Sequence, residues 1–197
     1  MMRNRMFALA AGVMSVLCVT SCAASSTVYM LDYRYYSSLT ELAQASGLVV
    51  RGTVLSSRVD NVNTSISSEP TSTNQTLNPQ AGMPSPAAVP DSYMVYTFDK
   101  INVTDCYKGC DLVGATIEIA EPGGRYKGVN YECPDSIQLD TNRTYILFGT
   151  QRENGSAYLL GPSQAVYEGD PDANGNYVGV SPTNKLQFTQ DQLQALT

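Results

Sequence analysis

Apolar residues recur at every second position through much of this chain. From Leu48 to Ser56 a valine-rich run places Val50 and Val54 on one face and Arg51 and Thr53 on the other, the alternation of a half-buried strand. Ser92 to Thr104 reads as the longest strand. Met94, Tyr96 and Phe98 share one face there, and the apolar phase then switches to Ile101 and Val103. A period of two cannot change phase without an extra residue, which predicts a bulge or bend at Asp99-Lys100. Ala115 to Ala120 alternates again, with Ile117 and Ile119 inward and Thr116 and Glu118 outward, until Glu121-Pro122-Gly123-Gly124 ends it. Tyr145 to Gly149 is continuously apolar and should be the most buried strand, one face lining the core and the other covered by a flanking helix such as 38–46. Asn154-Gly155 marks a hairpin into Ala157 to Leu160, and Asn174-Gly175 another between Ala165 to Glu168 and Tyr177 to Val180.

Two short helices flank these strands. Ser38-Leu39-Thr40-Glu41 is a capping box, Leu39, Leu42 and Ala43 fall on one helical face, and Gly47 supplies a stop. Thr189 caps a last helix carrying Leu193 and Leu196. Between the first two strands, Asp60 to Asp91 is crowded with Ser, Thr and Asn and broken by Pro70, Pro79, Pro84, Pro86 and Pro90, which predicts a disordered insertion. Arg125 to Asp140 reads as a long connection. The pattern as a whole predicts a mainly β protein: one domain over 38–197, a small antiparallel β-barrel with short flanking helices.

The start of the chain follows different rules. Arg3 and Arg5 precede an apolar run from Met6 to Val19, long enough for a signal segment and short for a spanning helix. Val19-Thr20-Ser21-Cys22 ends it in the manner of a lipoprotein cleavage site. Residues 1–21 then form a lipoprotein signal peptide, and Cys22 takes a diacylglyceryl thioether as the first mature residue. Cleavage of an ordinary secretory signal near Ser21 to Ala24 and a retained helix are the alternatives. Residues 22–37 follow as tether and lead-in, and Tyr29, Tyr33, Tyr35 and Tyr36 are expected to pack on the domain. This address places the protein at the cell membrane, anchored through acyl chains and facing the extracytoplasmic side.

Composition narrows the chemistry. The two arginines of the signal leave ten basic residues against eighteen acidic ones, a mature net charge of −8, which disfavours nucleic acid as a partner. The chain has no histidine, so Ser-His-Asp, Cys-His and His-ligated zinc schemes are excluded. Cys106 and Cys110 flank Tyr107-Lys108-Gly109, a plausible tight turn for a disulfide; a Cys110–Cys133 bridge or three reduced thiols are the alternatives.

The runs Leu48 to Val54, Thr97 to Val103 leading to Tyr107-Lys108-Gly109, and Asn142 to Phe148 together resemble a pattern of uncharacterised bacterial surface lipoproteins. Their barrel resembles the OB-type fold of tissue inhibitors of metalloproteinases and netrin modules. The resemblance spans roughly Ser38 to Val180 and rests on core and turn residues, so it implies fold rather than function. In those inhibitors a free amino-terminal cysteine coordinates the target's zinc. Here the corresponding Cys22 sulfur would be thioether-bound, so that mechanism should be lost.

Two stretches remain as candidate sites. Arg125, Tyr126, Lys127 and Tyr131 combine cations and tyrosines into a possible binding loop. Asp170, Asp172 and Asn174 match the first half of a calcium loop, but Ser181 stands where a bidentate carboxylate would close it, so an acidic turn is expected instead. No catalytic motif and no cofactor signature is present. The sequence therefore predicts a non-enzymatic, lipid-anchored envelope module that binds an envelope protein or a small ligand, with a protease inhibitor acting through its loops as the alternative.

Overall fold

The computed structural model describes residues 25–64, 92–109, 112–151 and 156–196. The predicted signal segment, Cys22, residues 65–91, Cys110 and the predicted Asn154-Gly155 turn lie outside the described residues. In chain order the elements are β1 (Ser26–Val28), α1 (Leu39–Ala45), β2 (Leu48–Asn63), β3 (Tyr93–Lys108), β4 (Thr116–Pro122), β5 (Gly124–Tyr126), β6 (Val129–Glu132), β7 (Thr144–Gln151), β8 (Ser156–Leu159), α2 (Pro162–Ala165), β9 (Val166–Glu168), β10 (Asn176–Val178), β11 (Gln187–Thr189) and α3 (Gln190–Gln194). No helix among the described residues is long and apolar enough to cross a membrane.

The protein is mainly β, and its largest sheet meets itself. The order is β2-β3-β4-β8-β7-β9, and β2 also pairs with β7, so β2, β3, β4, β8 and β7 form a ring of hydrogen-bonded neighbours. All of these pairings are antiparallel except β4–β8, which is parallel. The sequence predicts antiparallel strands throughout. An odd number of strands cannot alternate in direction around a closed ring, so at least one pairing must be parallel.

The two long strands differ from expectation. β2 does not stop at Ser56 but continues through Asp60 to Asn63, which were assigned to the insertion, and its ladder with β3 runs from Val49↔Lys108 to Asn63↔Tyr93. The Thr64 N–H still donates to the Ser92 carbonyl at 2.7 Å. The register skips Leu55 between Val54↔Ile101 and Ser56↔Lys100. The extra residue is therefore on β2, not at Asp99-Lys100. β3 keeps one phase from Val95 to Val103, with Val95, Asp99, Ile101 and Val103 all pointing into the protein, and its own unpaired residues, Thr104 and Tyr107, come later in the ladder. Tyr96 and Phe98 lie on the other face. There the Arg58 guanidinium sits 4.1 Å from the Phe98 ring centre, and Tyr96 meets Tyr158 edge-on at 6.1 Å.

β7 is buried as expected, from Tyr145 through Phe148. Its cover comes chiefly from the C-terminal segment, not from α1. Tyr167 and Phe188 meet the Phe148 ring edge-on at 5.6 and 5.9 Å, and Tyr177 packs on Phe188. α1 adds Leu42 and Ala43 to the same core. Its capping box is half formed: the Ser38 hydroxyl accepts from the Glu41 N–H, but the Glu41 carboxylate accepts from the Ser37 N–H and from Arg34 instead of reaching the Ser38 amide. The stop is made by Ser46 in extended conformation, its N–H and hydroxyl both donating to the Leu42 carbonyl, before Gly47 is reached. α3 forms as predicted, with Thr189 and Gln192 closing a full capping box over buried Leu193. The hairpin predicted around Asn174-Gly175 forms as a short antiparallel pairing, through the Tyr167↔Gly179 bridge and the Val180 N–H donating to the Val166 carbonyl at 3.0 Å, while β10 itself makes its ladder with β11.

The lead-in is part of the domain. β1 pairs with β6, and the Tyr29 hydroxyl accepts from the Val95 N–H at 3.0 Å. The Gln164 side chain clamps Tyr36, accepting from its N–H at 2.8 Å and donating to its carbonyl at 3.0 Å. Tyr35, 60% exposed, is the exception among the four tyrosines.

Candidate functional site

Two inward rows define the site. On β3, the row that carries Ile101 and Val103 continues to Asp99 and Thr97. On β4, the row that carries Ile117 and Ile119 continues to Glu121. Thr97 is paired with Glu121 and Asp99 with Ile119, so Asp99 and Glu121 are diagonal neighbours on one face. The apolar interior gives way here to polar side chains, and beside them lies a cavity of ≈ 390 Å³. The β5–β6 hairpin supplies its second wall through Gly124, Asn130 and Tyr131, and the connection after β6 closes it with Cys133 and Ser136. Gly124 has φ 125°, and a Cβ there would sit 2.6 Å from the Thr97 hydroxyl oxygen, so only glycine lets the hairpin lie this close to β3.

Both carboxyl groups are sequestered: Asp99 is 1% and Glu121 2% exposed. One Glu121 oxygen accepts from the Ser136 hydroxyl at 3.1 Å. One Asp99 oxygen takes a short hydrogen bond from the Ser57 hydroxyl. The remaining oxygens, Asp99 Oδ2 and Glu121 Oε1, are buried without a hydrogen-bond partner among the described residues. Burial, and secondarily the charge of Asp99, pushes the Glu121 carboxyl well above its ordinary value; burial also raises Asp99, against the pull of Ser57. The neighbouring Cys133 is a free, buried thiol, raised chiefly by burial, and the Tyr33 hydroxyl that bonds to it is raised for the same reason.

No protein-family model matches the chain, and no curated protein matches it. The site must therefore be read from its own geometry.

The residues singled out in the sequence are dispersed. Tyr131 lines the cavity and stacks on Tyr29 with ring centres 5.8 Å apart. Arg125, Tyr126 and Lys127 lie instead at the far end of the β5–β6 hairpin, where Lys127 and Gly128 both have positive φ and the Lys127 ammonium stands 5.1 Å over the Tyr126 ring. Asp170 is ion-paired with Arg51 at 2.8 Å. One Asp172 oxygen accepts the N–H groups of Asn174 and Asn176, both at 2.9 Å, and these bonds lower its carboxyl below the ordinary value. Asn174 is exposed at the turn. These carboxylates hold the fold of the turn, as the acidic-turn reading expects. Cys106 is disulfide-bonded and Cys133 is free, so the Cys110–Cys133 alternative does not form; Cys110 itself lies outside the described residues. Tyr107 and Lys108 belong to β3 and do not make a turn.

Asp99, Glu121, Thr97 and Ser136 were missed by the sequence reading. The signal was available in the alternation: extending the Ile117–Ile119 phase by one step puts Glu121 inside, and extending Val103–Ile101 backwards does the same for Asp99.

Proposed function

We propose that the protein is a non-enzymatic, lipid-anchored module of the bacterial cell envelope, held on the extracytoplasmic side by Cys22, that takes a small organic cation into the cavity beside Asp99 and Glu121. The carrying observation is the pair of buried carboxyl oxygens with no partner. Leaving such groups unsatisfied costs about 1–3 kcal/mol each, and a cation bearing N–H donors relieves both. Among the described residues no lysine or arginine lines the cavity, and no group of three or more His, Cys, Asp and Glu side chains is assembled as for a metal ion. Tyr131 adds an aromatic ring at the wall, a favourable surface for an ammonium group. The architecture is consistent with the OB-type barrel of the surface-lipoprotein pattern, since five strands close in a ring with one parallel pairing.

An ammonium group binding here displaces the proton held by Glu121. Calorimetry with putrescine, in two buffers of different ionisation enthalpy, should give buffer-dependent heat, and 1,4-butanediol of the same length should give none. Asp99→Asn and Glu121→Gln should each abolish the putrescine signal while retaining cooperative unfolding. Equal heats from the diol, or no uptake of the diamine at millimolar concentration, would refute the reading.

A further inference from the structure

The register of β1 fixes the direction in which the anchored end of the chain leaves the domain. β1 is parallel to β6, with Ser26 opposite Asn130 and Val28 opposite Glu132. The ladder extends one residue each way: the Asn130 N–H donates to the Ser25 carbonyl at 3.0 Å and the Tyr29 N–H to the Glu132 carbonyl at 2.7 Å. In a parallel pair, moving backwards along one strand means moving backwards along the other. The chain preceding Ser25 is therefore directed towards the start of β6, where the Lys127-Gly128 turn lies. At about 3.3 Å per residue that turn stands roughly 7–10 Å beyond Ser26. Cys22, four residues before Ser26, can stand no more than about 14 Å from it. The described chain thus begins, at Ser25, on the side of β6 that leads to the hairpin tip, and a chain of that length allows Cys22 to reach the height of the tip.

We propose that the tip of the β5–β6 hairpin is a membrane-contact surface that rests among phospholipid headgroups. This rests on the reading of Cys22 as acylated. The tip has suitable chemistry. Arg125 and Lys127 are exposed cations on a mature chain whose net charge is −8, so the hairpin turns a local positive face to the bilayer where the protein as a whole would be repelled by anionic lipid. Tyr126, half-buried beneath the Lys127 ammonium, is the amphipathic ring that the water–hydrocarbon boundary favours. Because Asn130 and Tyr131 of the same hairpin wall the acidic cavity, seating the tip also fixes that cavity close to the membrane surface.

The chain contains no tryptophan, so one introduced tryptophan reports its own surroundings. The full chain, acylated in its bacterial host, is reconstituted into phosphatidylcholine–phosphatidylglycerol vesicles whose acyl chains are brominated near the headgroup. Tyr126→Trp, with Arg125→Trp as a second probe, should be quenched several-fold more than Val113→Trp, which is 67% exposed beyond the opposite end of β3. Arg125→Glu combined with Lys127→Glu should reduce quenching of the Tyr126→Trp probe on anionic vesicles and leave flotation unchanged. Quenching no greater at 126 and 125 than at 113, in protein that floats with the vesicles, overturns the contact while leaving the anchor intact. Protein that fails to float overturns the anchor, and the contact with it.

Discussion

Replacing Glu121 by glutamine tests the central electrostatic claim. Glu121 is buried, with Oε1 unpartnered and Asp99 on the same inward face. Its carboxyl is raised well above the ordinary 4.5, first by desolvation and then by Asp99. The folded protein therefore holds a proton that the unfolded chain releases, from pH 4.5 up to the folded value. Stability contributed by the neutral acid is complete below 4.5 and is lost as the pH rises through that window. One such proton gives a slope approaching 1.4 kcal/mol per pH unit, roughly. Asp99, raised in the same direction, adds a smaller slope of the same sign. Glutamine keeps the shape of the side chain and stays neutral throughout. Wild type and Glu121→Gln should therefore have similar stability near pH 4.5 and separate above it, the variant becoming more stable by up to about 1.4 kcal/mol per unit. For a domain of this size that is about 3–6 °C in Tm per unit. Urea and thermal melts of both proteins from about pH 5 to about pH 8 read the difference directly. Parallel stability curves, or a variant that loses ground as the pH rises, would refute the reasoning.

Replacing residues 65–91 by a short Gly/Ser linker should leave cooperative unfolding intact, because Thr64 and Ser92 are already hydrogen-bonded neighbours and halving a loop changes closure entropy by only about 0.6 kcal/mol; loss of the transition in a melt would mean the segment packs. Leu147→Ala should cost about 2–5 kcal/mol through lost transfer energy and a cavity, and Thr116→Ala, exposed at the start of β4, less than about 0.5 kcal/mol. A reversed order in urea melts would mean that the inward and outward faces are misassigned. Asp172→Ala should loosen the β9–β10 connection by freeing two backbone N–H groups, read as faster amide exchange at Asn174 and Asn176. In the native protein calcium titration should give no Asp172-dependent uptake tighter than millimolar, and micromolar uptake would overturn the turn reading.

Much of this fold was legible because it depends on apolar alternation. Val50 and Val54, Ile117 and Ile119, and the Tyr145 to Phe148 run lie where their periodicity puts them. The failures share one physical cause, which is that hydrophobicity stands in for inwardness only where the interior is apolar. Around Asp99 and Glu121 the inward row is polar, while Phe98 and Tyr96 pack outside beneath Arg58 and against Tyr158. A reading that equates apolar with inside must then invent a phase switch on β3 and end β4 two residues early. The short strands β1, β5, β6 and β11 were illegible for another reason. Each is only three or four residues long, too short for a period to emerge, and β1 is specified by a partner more than a hundred residues away.

The arm that begins with β1 also has a mechanical meaning. Under the proposed anchorage at Cys22, a pull along the axis of β1 loads the bonds that tie it to β6, from Ser25–Asn130 to Tyr29–Glu132, together in shear rather than peeling them one after another. Behind them the two-point grip of Gln164 on the Tyr36 backbone stands as a second catch before tension passes to α1 and β2. Forced unfolding is governed by the height of the first barrier, and here that barrier belongs to the arm. Tension on the amino-terminal arm is thus met at the seam between β1 and β6, and the ring of strands behind it is unloaded for as long as that seam holds.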